Sequence, residues 1–323
     1  MKIVVIPGLT LPEISDTDLA RIKEAGKTDN VVVSTPEGAH NEVSDADVIL
    51  GFVGQRLFKA CQKLRWVQSI SSGVDSFFYP EFQNSSVVLT SEKGLVGEHL
   101  ADHAFGLLLM LTRQLKTALL HGPDSWNHRP EMRFQEVELS GSTLGIFGFG
   151  GTGRAMARRA KGFGMNILAL DSEDVEPTQE VPEVQPSEYW PEMLANSDVI
   201  AVCCPLTPMT KGVLNEQAFK QMKSSAFLVN VTRGEVMVES ELVEALKNGE
   251  IRGAALDVVP REPLPAESEL WDMPNVVMTP HTAGASQFRA KRNMDRFLYN
   301  LRLFADTGKT DNFEGIIDME KGF

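Results

Sequence analysis

The sequence has few cysteines, an excess of acidic over basic residues, and no long apolar run. Its three cysteines, Cys61, Cys203 and Cys204, are too few for a disulfide framework in 323 residues, so a reducing, cytoplasmic setting is expected. A formal net charge of −13 disfavours nucleic acid or an anionic membrane surface as a partner. No stretch reaches membrane-spanning length, and the apolar run near the N-terminus is too short for a signal peptide.

The size and pattern of the chain predict two α/β domains. A chain of 323 residues exceeds what one hydrophobic core usually supports, and its 42% hydrophobic and 23% charged residues are ordinary for a globular protein. Short apolar runs alternate with polar or helical stretches, which predicts mostly parallel sheets. In the first 95 residues these runs lie at 3–6, 31–33, 48–52, 66–70 and 87–89.

A glycine-rich turn in the middle of the chain carries the clearest signal. An apolar run at 144–147 leads into Gly148, Gly150 and Gly153, which have the spacing G-x-G-x-x-G. In a dinucleotide site the first glycine permits a tight turn and the second lets the backbone approach a pyrophosphate. The third allows the helix to pack closely on the strand, and the helix N-terminus offers N–H groups to the phosphates. The pattern predicts a dinucleotide site.

An acidic residue follows at the position that such a site needs. The strand at 166–170 ends in Asp171, which is suited to accept both ribose hydroxyls of an adenosine. Glu173 and Asp174 come next, so a 2′-phosphate would meet several negative charges, and NAD is favoured over NADP. The alternative for Asp171 is an ordinary turn residue at a strand end.

Two further segments allow weaker interpretations. The loop with Ser72 and Gly73 follows a strand directly and can present backbone N–H groups to an anion, although a plain turn is equally consistent. Residues 96–120 have one long helical pattern, apolar nearly all round in its second half, which predicts a helix buried in a core or against another subunit. Its His99 and His103 lack a third ligand at a suggestive spacing and are interpreted as structural.

The chain then becomes polar and irregular between residues 121 and 140, which we interpret as a loop into the nucleotide domain. Beyond Asp171, three successive strands lead into residues that can do chemistry. The first leads to Arg233, the second contains Asp257 and leads to Glu262, and the last leads to His281. The carboxyl ends of parallel strands share one edge of the sheet, so these side chains are expected to face one cleft.

These residue types suit hydride-transfer chemistry. The planar guanidinium of Arg233 can bind a carboxylate at two points. His281 can donate a proton near neutral pH to the carbonyl oxygen, while Glu262 would orient the imidazole and favour its charged form. Taken singly, each residue has another interpretation: a surface ion pair for Arg233, a solvated acid for Glu262 and a capping residue for His281.

Four ordered motifs resemble the D-isomer-specific 2-hydroxyacid dehydrogenase family. They are Gly-Phe-Gly-Gly-Thr-Gly at 148–153, Asn-Val-Thr-Arg-Gly at 230–234, Leu-Asp-Val-Val-Pro-Arg-Glu-Pro-Leu at 256–264 and Thr-Pro-His-Thr-Ala-Gly at 279–284. The resemblance implies two Rossmann-like, doubly wound α/β domains. An NAD-binding domain at 98–287 would be inserted into a flavodoxin-like substrate domain formed by 1–97 and 288–323. It also implies a homodimer joined through the nucleotide domains, with the helix from about residue 98 in the contact.

The resemblance further implies the reaction and its residues. A 2-keto acid and the D-2-hydroxy acid would be interconverted with hydride from NADH and without a metal. Arg233 would bind the substrate carboxylate and carbonyl, His281 would be the acid/base, and Glu262 would be its partner. The backbone amides of Ser72 and Gly73 would hold the carboxylate.

The resemblance also assigns a cofactor site. By position it comprises Gly148, Gly150, Thr152 and Gly153 at the pyrophosphate, Asp171 at the ribose, Pro205 and Thr210 on the adenine side, and Val231 and Asp257 at the nicotinamide amide, together with His281 and Gly284. In one departure, Gly151 stands where many relatives have an arginine, and Arg154 is the residue that could compensate. The alternative function is a non-catalytic NAD(H)-sensing, corepressor-like interaction protein, against which the complete Arg233, Glu262 and His281 set argues.

Overall fold

The computed structural model describes residues 1–323, which form two compact units. The first unit consists of residues 1–96 and 285–323, and the second of residues 97–284. Each unit contains one sheet in which all strands run parallel. The predicted α/β fold class is therefore confirmed.

The strands are short and are numbered here in chain order. They are β1 (Ile3–Val5), β2 (Val31–Val33), β3 (Val48–Leu50), β4 (Trp66–Gln68), β5 (Val88–Thr90), β6 (Thr143–Phe147), β7 (Asn166–Leu170), β8 (Val199–Val202), β9 (Phe227–Asn230), β10 (Gly253–Leu256) and β11 (Val276–Met278).

Most strands are connected by α-helices, and three helices in succession separate β5 from β6. The α-helices are α1 (Asp16–Gly26), α2 (Gln55–Phe58), α3 (Pro80–Gln83), α4 (Gly97–Thr112), α5 (Leu115–His121), α6 (Arg129–Gln135), α7 (Gly151–Gly162), α8 (Trp190–Asn196), α9 (Glu216–Gln221), α10 (Glu239–Lys247) and α11 (Arg289–Thr307). None of them is both long and apolar enough to cross a membrane.

The first unit is built on a five-stranded sheet in the order β2-β1-β3-β4-β5. The C-terminal helix α11 completes the core on one face of this sheet, where Phe297 packs against Trp66 with ring centroids 5.2 Å apart. Phe304 and Phe313 close around the same indole. The indole N–H donates to the Thr90 hydroxyl at 2.8 Å, so burial leaves no polar atom of Trp66 unpaired.

The second unit is built on a six-stranded sheet in the order β11-β10-β9-β8-β6-β7. Its strands are buried on both faces, as β8 illustrates. Val199 and Ala201 contribute to one hydrophobic cluster, and Ile200 and Val202 contribute to the other. Helices cover both faces, which is why these strands have continuous apolar runs rather than alternating ones.

Two predictions about the segment before β6 are wrong. The helix predicted over 96–120 is two helices, because Gln114 has φ 54°, a left-handed conformation that ends α4. The amide of Val137 then donates to the carbonyl of Thr112, the last residue of α4, at 2.7 Å. The loop predicted over 121–140 contains α6, whose Pro130 lies in the first turn, where a helix tolerates proline.

The glycine-rich turn packs α7 directly on β6. A Cβ at Gly153 would lie 2.2 Å from the carbonyl oxygen of Gly148 and 3.0 Å from the Ile146 side chain. At Gly162, in the last turn of the same helix, a Cβ would meet no atom within 4 Å. Close backbone approach therefore requires glycine at the first position and not at the second.

We expect Gly153→Ala to destabilise the protein by roughly 1–3 kcal/mol, because the added methyl must push α7 away from β6. The matched control Gly162→Ala should be neutral or stabilising by up to about 1 kcal/mol, since alanine is the better helix former. Urea unfolding followed by circular dichroism measures both. Equal unfolding midpoints for the two variants would contradict the packing argument.

Candidate active site

The glycine-rich turn leaves the N-terminus of α7 open. Gly148 takes φ 97°, and Gly150 is the N-cap residue of α7, without a side-chain cap. Gly150 is exposed, and a Cβ there would meet no atom within 4 Å. The N–H groups of the first turn, which includes the half-buried Thr152, are therefore not capped by a side chain, as an anion-binding helix N-terminus requires.

Asp171 links the end of β7 to this turn. Its Oδ2 accepts a hydrogen bond from the Phe149 amide at 2.6 Å, and its Oδ1 accepts one from the Glu173 amide at 3.0 Å. These two bonds are those of a turn residue at a strand end, the alternative interpretation of Asp171, and its ribose contact stays a prediction. A carboxylate has about four acceptor sites, so these two bonds leave capacity for the hydroxyls of a ribose.

A cation lies beside the turn despite the glycine at position 151. The Arg154 guanidinium is 5.0 Å from the centre of the Phe149 ring, and its Nη2 donates to the Glu176 carbonyl at 2.5 Å. Arg154 belongs to the first turn of α7. It therefore brings positive charge to the glycine-rich turn from a helix position rather than from Gly151.

The loop after β8 is closed by its own threonines. The Thr210 hydroxyl donates to the Pro205 carbonyl at 2.7 Å and accepts from the Thr207 amide at 2.8 Å. Burial raises the pKa of the preceding Cys203 thiol to about 12 and that of the Cys204 thiol well above its ordinary value. Both side chains are therefore neutral thiols at physiological pH rather than nucleophiles.

Arg233 is presented by a turn that a buried amide holds. The Asn230 side chain, 0% exposed, donates to the Arg233 carbonyl at 2.9 Å and accepts from the Thr232 amide at 3.1 Å. Val231 between them is buried. A Cβ at Gly234 would lie 1.9 Å from the backbone of Val259, so glycine is required for this turn to rest on the chain that leads to Glu262.

Glu262 and His281 are in direct contact. The distance between His281 Nδ1 and Glu262 Oε2 is 2.7 Å, and the Glu262 Oε1 accepts from the Val259 amide at 3.3 Å. A carboxylate accepts, so Nδ1 carries the hydrogen and Nε2 is the ring nitrogen left for another partner. Both side chains are partly exposed, His281 by 46% and Glu262 by 38%, so a small molecule can reach them.

Asp257 and Gly284, two further residues of the predicted cofactor site, differ in their surroundings. Asp257 is buried, and its carboxylate bonds to the backbone of Thr282 and Ala283, whereas Gly284 is half-buried. The nicotinamide contact of Asp257 that the resemblance implies stays a prediction. Sequence reasoning missed the hydroxyl of Thr279, which donates to Asp257 at 2.6 Å, because an isolated threonine carries no signal of its partner.

Ser72 and Gly73 belong to the first unit and follow β4. Their loop is shaped by neighbouring serines: the Ser71 hydroxyl donates to the Gly73 carbonyl at 2.9 Å, and the Ser71 amide donates to the Ser69 hydroxyl at 3.1 Å. Ser72 and Gly73 are half-buried. The loop is thus an ordered turn at the carboxyl end of a parallel strand, and its anion-binding role stays a prediction.

One group of side chains has ligand atoms close enough to hold a metal ion. His121, Asp124 and His128 have ligand atoms that all lie within 4.8 Å of one another on the surface. The Asp124 carboxylate already accepts from the His128 ring at 3.0 Å and from the side-chain Nδ2 of Asn127 at 2.6 Å, and the His121 and His128 rings stack. Protein donors therefore already bind both oxygens of the carboxylate, and none of the three residues is among those predicted to do chemistry.

Comparisons with known proteins identify relatives along nearly the whole chain. A family model described as "D-isomer specific 2-hydroxyacid dehydrogenase, NAD binding domain" matches residues 105–283. The glyoxylate reductase of Korarchaeum cryptofilum is 34% identical over 309 residues, which cover 90% of this chain and 90% of that protein.

Solved structures give the same fold. A D-isomer specific 2-hydroxyacid dehydrogenase family protein from Aeromonas salmonicida superposes with a TM-score of 0.78 and 28% identity, covering 98% of this chain and 99% of its own. The NADPH-dependent glyoxylate/hydroxypyruvate reductase of Sinorhizobium meliloti, solved with NADP and sulfate, has a TM-score of 0.79 and 24% identity and covers both chains fully.

Proposed function

Since the chain belongs to the D-isomer specific 2-hydroxyacid dehydrogenase family, we propose that it reduces a small 2-keto acid to the D-2-hydroxy acid with NADH and catalyses the reverse oxidation. The observation that carries this proposal is the contact between His281 and Glu262 at 2.7 Å, within the unit that the NAD-binding-domain family model matches. A proton donor held by a carboxylate is what the carbonyl oxygen needs as its carbon is reduced.

The cofactor would be held by the second unit. The uncapped N-terminus of α7 and Arg154 would bind the pyrophosphate, and the remaining acceptor sites of Asp171 would bind the ribose. The nicotinamide, when bound, supplies the hydride to the substrate carbon. Asp171, Glu173 and Asp174 support NADH over NADPH, because a 2′-phosphate would be repelled by three carboxylates.

The substrate would be held and protonated by three side chains. Arg233 would bind the carboxylate and the carbonyl oxygen through its guanidinium fork, which matches a planar carboxylate at two points. His281 would transfer the proton between its Nε2 and the substrate oxygen, while Glu262 holds Nδ1 and stabilises the imidazolium. The K. cryptofilum relative is a glyoxylate reductase, which supports a short 2-keto acid as substrate.

The activity test is NADH oxidation, followed as loss of absorbance, against 2-keto acids from glyoxylate, pyruvate and hydroxypyruvate to branched and aromatic examples. We expect turnover with the short acids and a lower kcat/KM with NADPH, because of the acidic residues after β7. Chiral analysis of the product should give the D-isomer wherever the product is chiral.

Two outcomes would contradict the proposal. Turnover with NADPH but not with NADH would overturn the proposed cofactor preference, while the proposed reaction would stand. Tight NADH binding without turnover of any keto acid would overturn the reaction and favour the alternative, an NAD(H)-sensing interaction protein.

We expect His281→Ala to lower kcat by about 100-fold or more while changing the dissociation constant of NADH less than threefold, since the imidazole supplies a proton rather than cofactor affinity. NADH binding is measured by fluorescence titration. The control His40→Ala removes an exposed imidazole in the first unit and should behave as wild type. Equal loss of turnover and of NADH binding would remove the assigned role from His281.

We also propose a homodimer, supported by large apolar side chains on the surface between residues 115 and 134. Leu119, Leu120, Trp126 and Phe134 are 73–87% exposed in the single chain. Such a concentration marks a surface that another chain covers.

Light scattering should give twice the mass of one chain. Leu120→Glu should shift the protein toward monomer, whereas Leu9→Glu, at a fully exposed leucine of the first unit, should not. A monomeric wild-type protein would overturn the proposal.

A further inference from the structure

A buried carboxylate holds the loop that carries His281. The Asp257 side chain is 0% exposed. Its Oδ1 accepts hydrogen bonds from the Thr279 hydroxyl at 2.6 Å and the Thr282 amide at 2.9 Å, and its Oδ2 accepts from the Ala283 amide at 2.8 Å. Its backbone carbonyl accepts from the His281 amide at 2.8 Å. One residue thus fixes the loop at four points.

The backbone of His281 depends on these contacts. Its φ is 54°, in the left-handed region that residues other than glycine rarely adopt. A residue persists there only when the surrounding structure over-determines its conformation. If the contacts to Asp257 loosened, the backbone of His281 would be free to relax, and its ring would lose the fixed orientation beside Glu262.

The hydrogen-bond directions extend this network to helix α4. Asp257 can only accept, so the Thr279 hydroxyl donates its hydrogen to Oδ1. The His103 Nε2 lies 2.7 Å from the same hydroxyl oxygen and must therefore be the donor in that contact. His103 Nε2 also lies 3.5 Å from Asp257 Oδ1, so the polar N–H group that binds Thr279 is close to the buried carboxylate as well.

We propose that His103 and Thr279 are positioning residues for His281 and act through Asp257. They fix the orientation of the carboxylate, and the carboxylate then holds the loop from Thr279 to Ala283 in the shape that keeps His281 beside Glu262. This inference rests on the proposed function only in taking His281 as the acid/base whose position matters. Neither residue is assigned a contact with substrate or cofactor.

Paired substitutions test the two residues. Thr279→Val and His103→Leu remove the hydrogen-bonding group, whereas Thr279→Ser and His103→Gln keep a donor of similar reach. The control Thr112→Val removes another buried hydroxyl of the same unit, one that donates to the Leu108 carbonyl at 3.0 Å. We expect kcat to fall roughly 10- to 100-fold in Thr279→Val and His103→Leu, because misplacement of an acid by about 1 Å has effects of this size. The dissociation constant of NADH should change less than kcat does.

The conservative pair should retain kcat within about threefold of wild type. The isotope effect on kcat with NADH deuterated at the transferred position should rise in Thr279→Val, because a slower chemical step becomes rate-limiting. A purely structural role would lower the melting temperature, as in Thr112→Val, without changing kcat or the isotope effect. That result, or equal activity of Thr279→Val and Thr279→Ser, would overturn the inference.

A measurement independent of turnover separates this inference from the proposed function. Carbon-13 labelling of the six histidines gives ring signals, and His281→Ala identifies the signal of His281. Thr279→Val should shift or broaden that signal, and Thr279→Ser and Thr112→Val should not. An unchanged His281 signal in Thr279→Val would overturn the positioning role, and this result does not require that any keto acid is turned over. An inactive wild-type protein with the expected signals would overturn the proposed function alone.

Discussion

The parallel direction of all six strands in the second unit is the constraint on which the candidate site depends. Parallel strands are joined by helical crossovers, so every strand ends at the same edge of the sheet. The glycine-rich turn, Asp171, Arg233 and His281 all follow strand ends there, although they are far apart in sequence. Because helices cover both faces of the sheet, this edge is where polar groups can meet a ligand without being buried.

Buried polar side chains then shape the loops at this edge. Asn230 is the last residue of β9, and Asp257 directly follows β10. Both are buried, and the side chain of each bonds to the backbone further along the chain. Their side chains bond to the N–H and carbonyl groups of the loop that follows each strand, where the sheet no longer pairs the backbone. The half-buried Arg233 and the exposed His281 therefore gain fixed positions from neighbours that a ligand need not touch.

The sequence predicts the fold better than it predicts the contacts within the site. Strands and the glycine-rich turn are local patterns, so the fold class was predictable and is confirmed. The break between α4 and α5 was not predictable, because a distant residue takes part in it: Val137, which follows α6, donates to the last residue of α4. The sequence also predicts Glu262 beside His281, and the two lie 2.7 Å apart, but nothing local indicates that His103 and Thr279 meet.

The composition of the first unit from both ends of the chain constrains the order in which the protein can fold. Phe297 and Phe304 of α11 complete the core around Trp66, so that core cannot close until the last helix has been synthesised. The second unit is continuous in sequence and has no such requirement. On the ribosome, β1 to β5 must therefore wait with an open apolar face while the later unit becomes complete, and chaperones that shield apolar surface have their longest opportunity to act there.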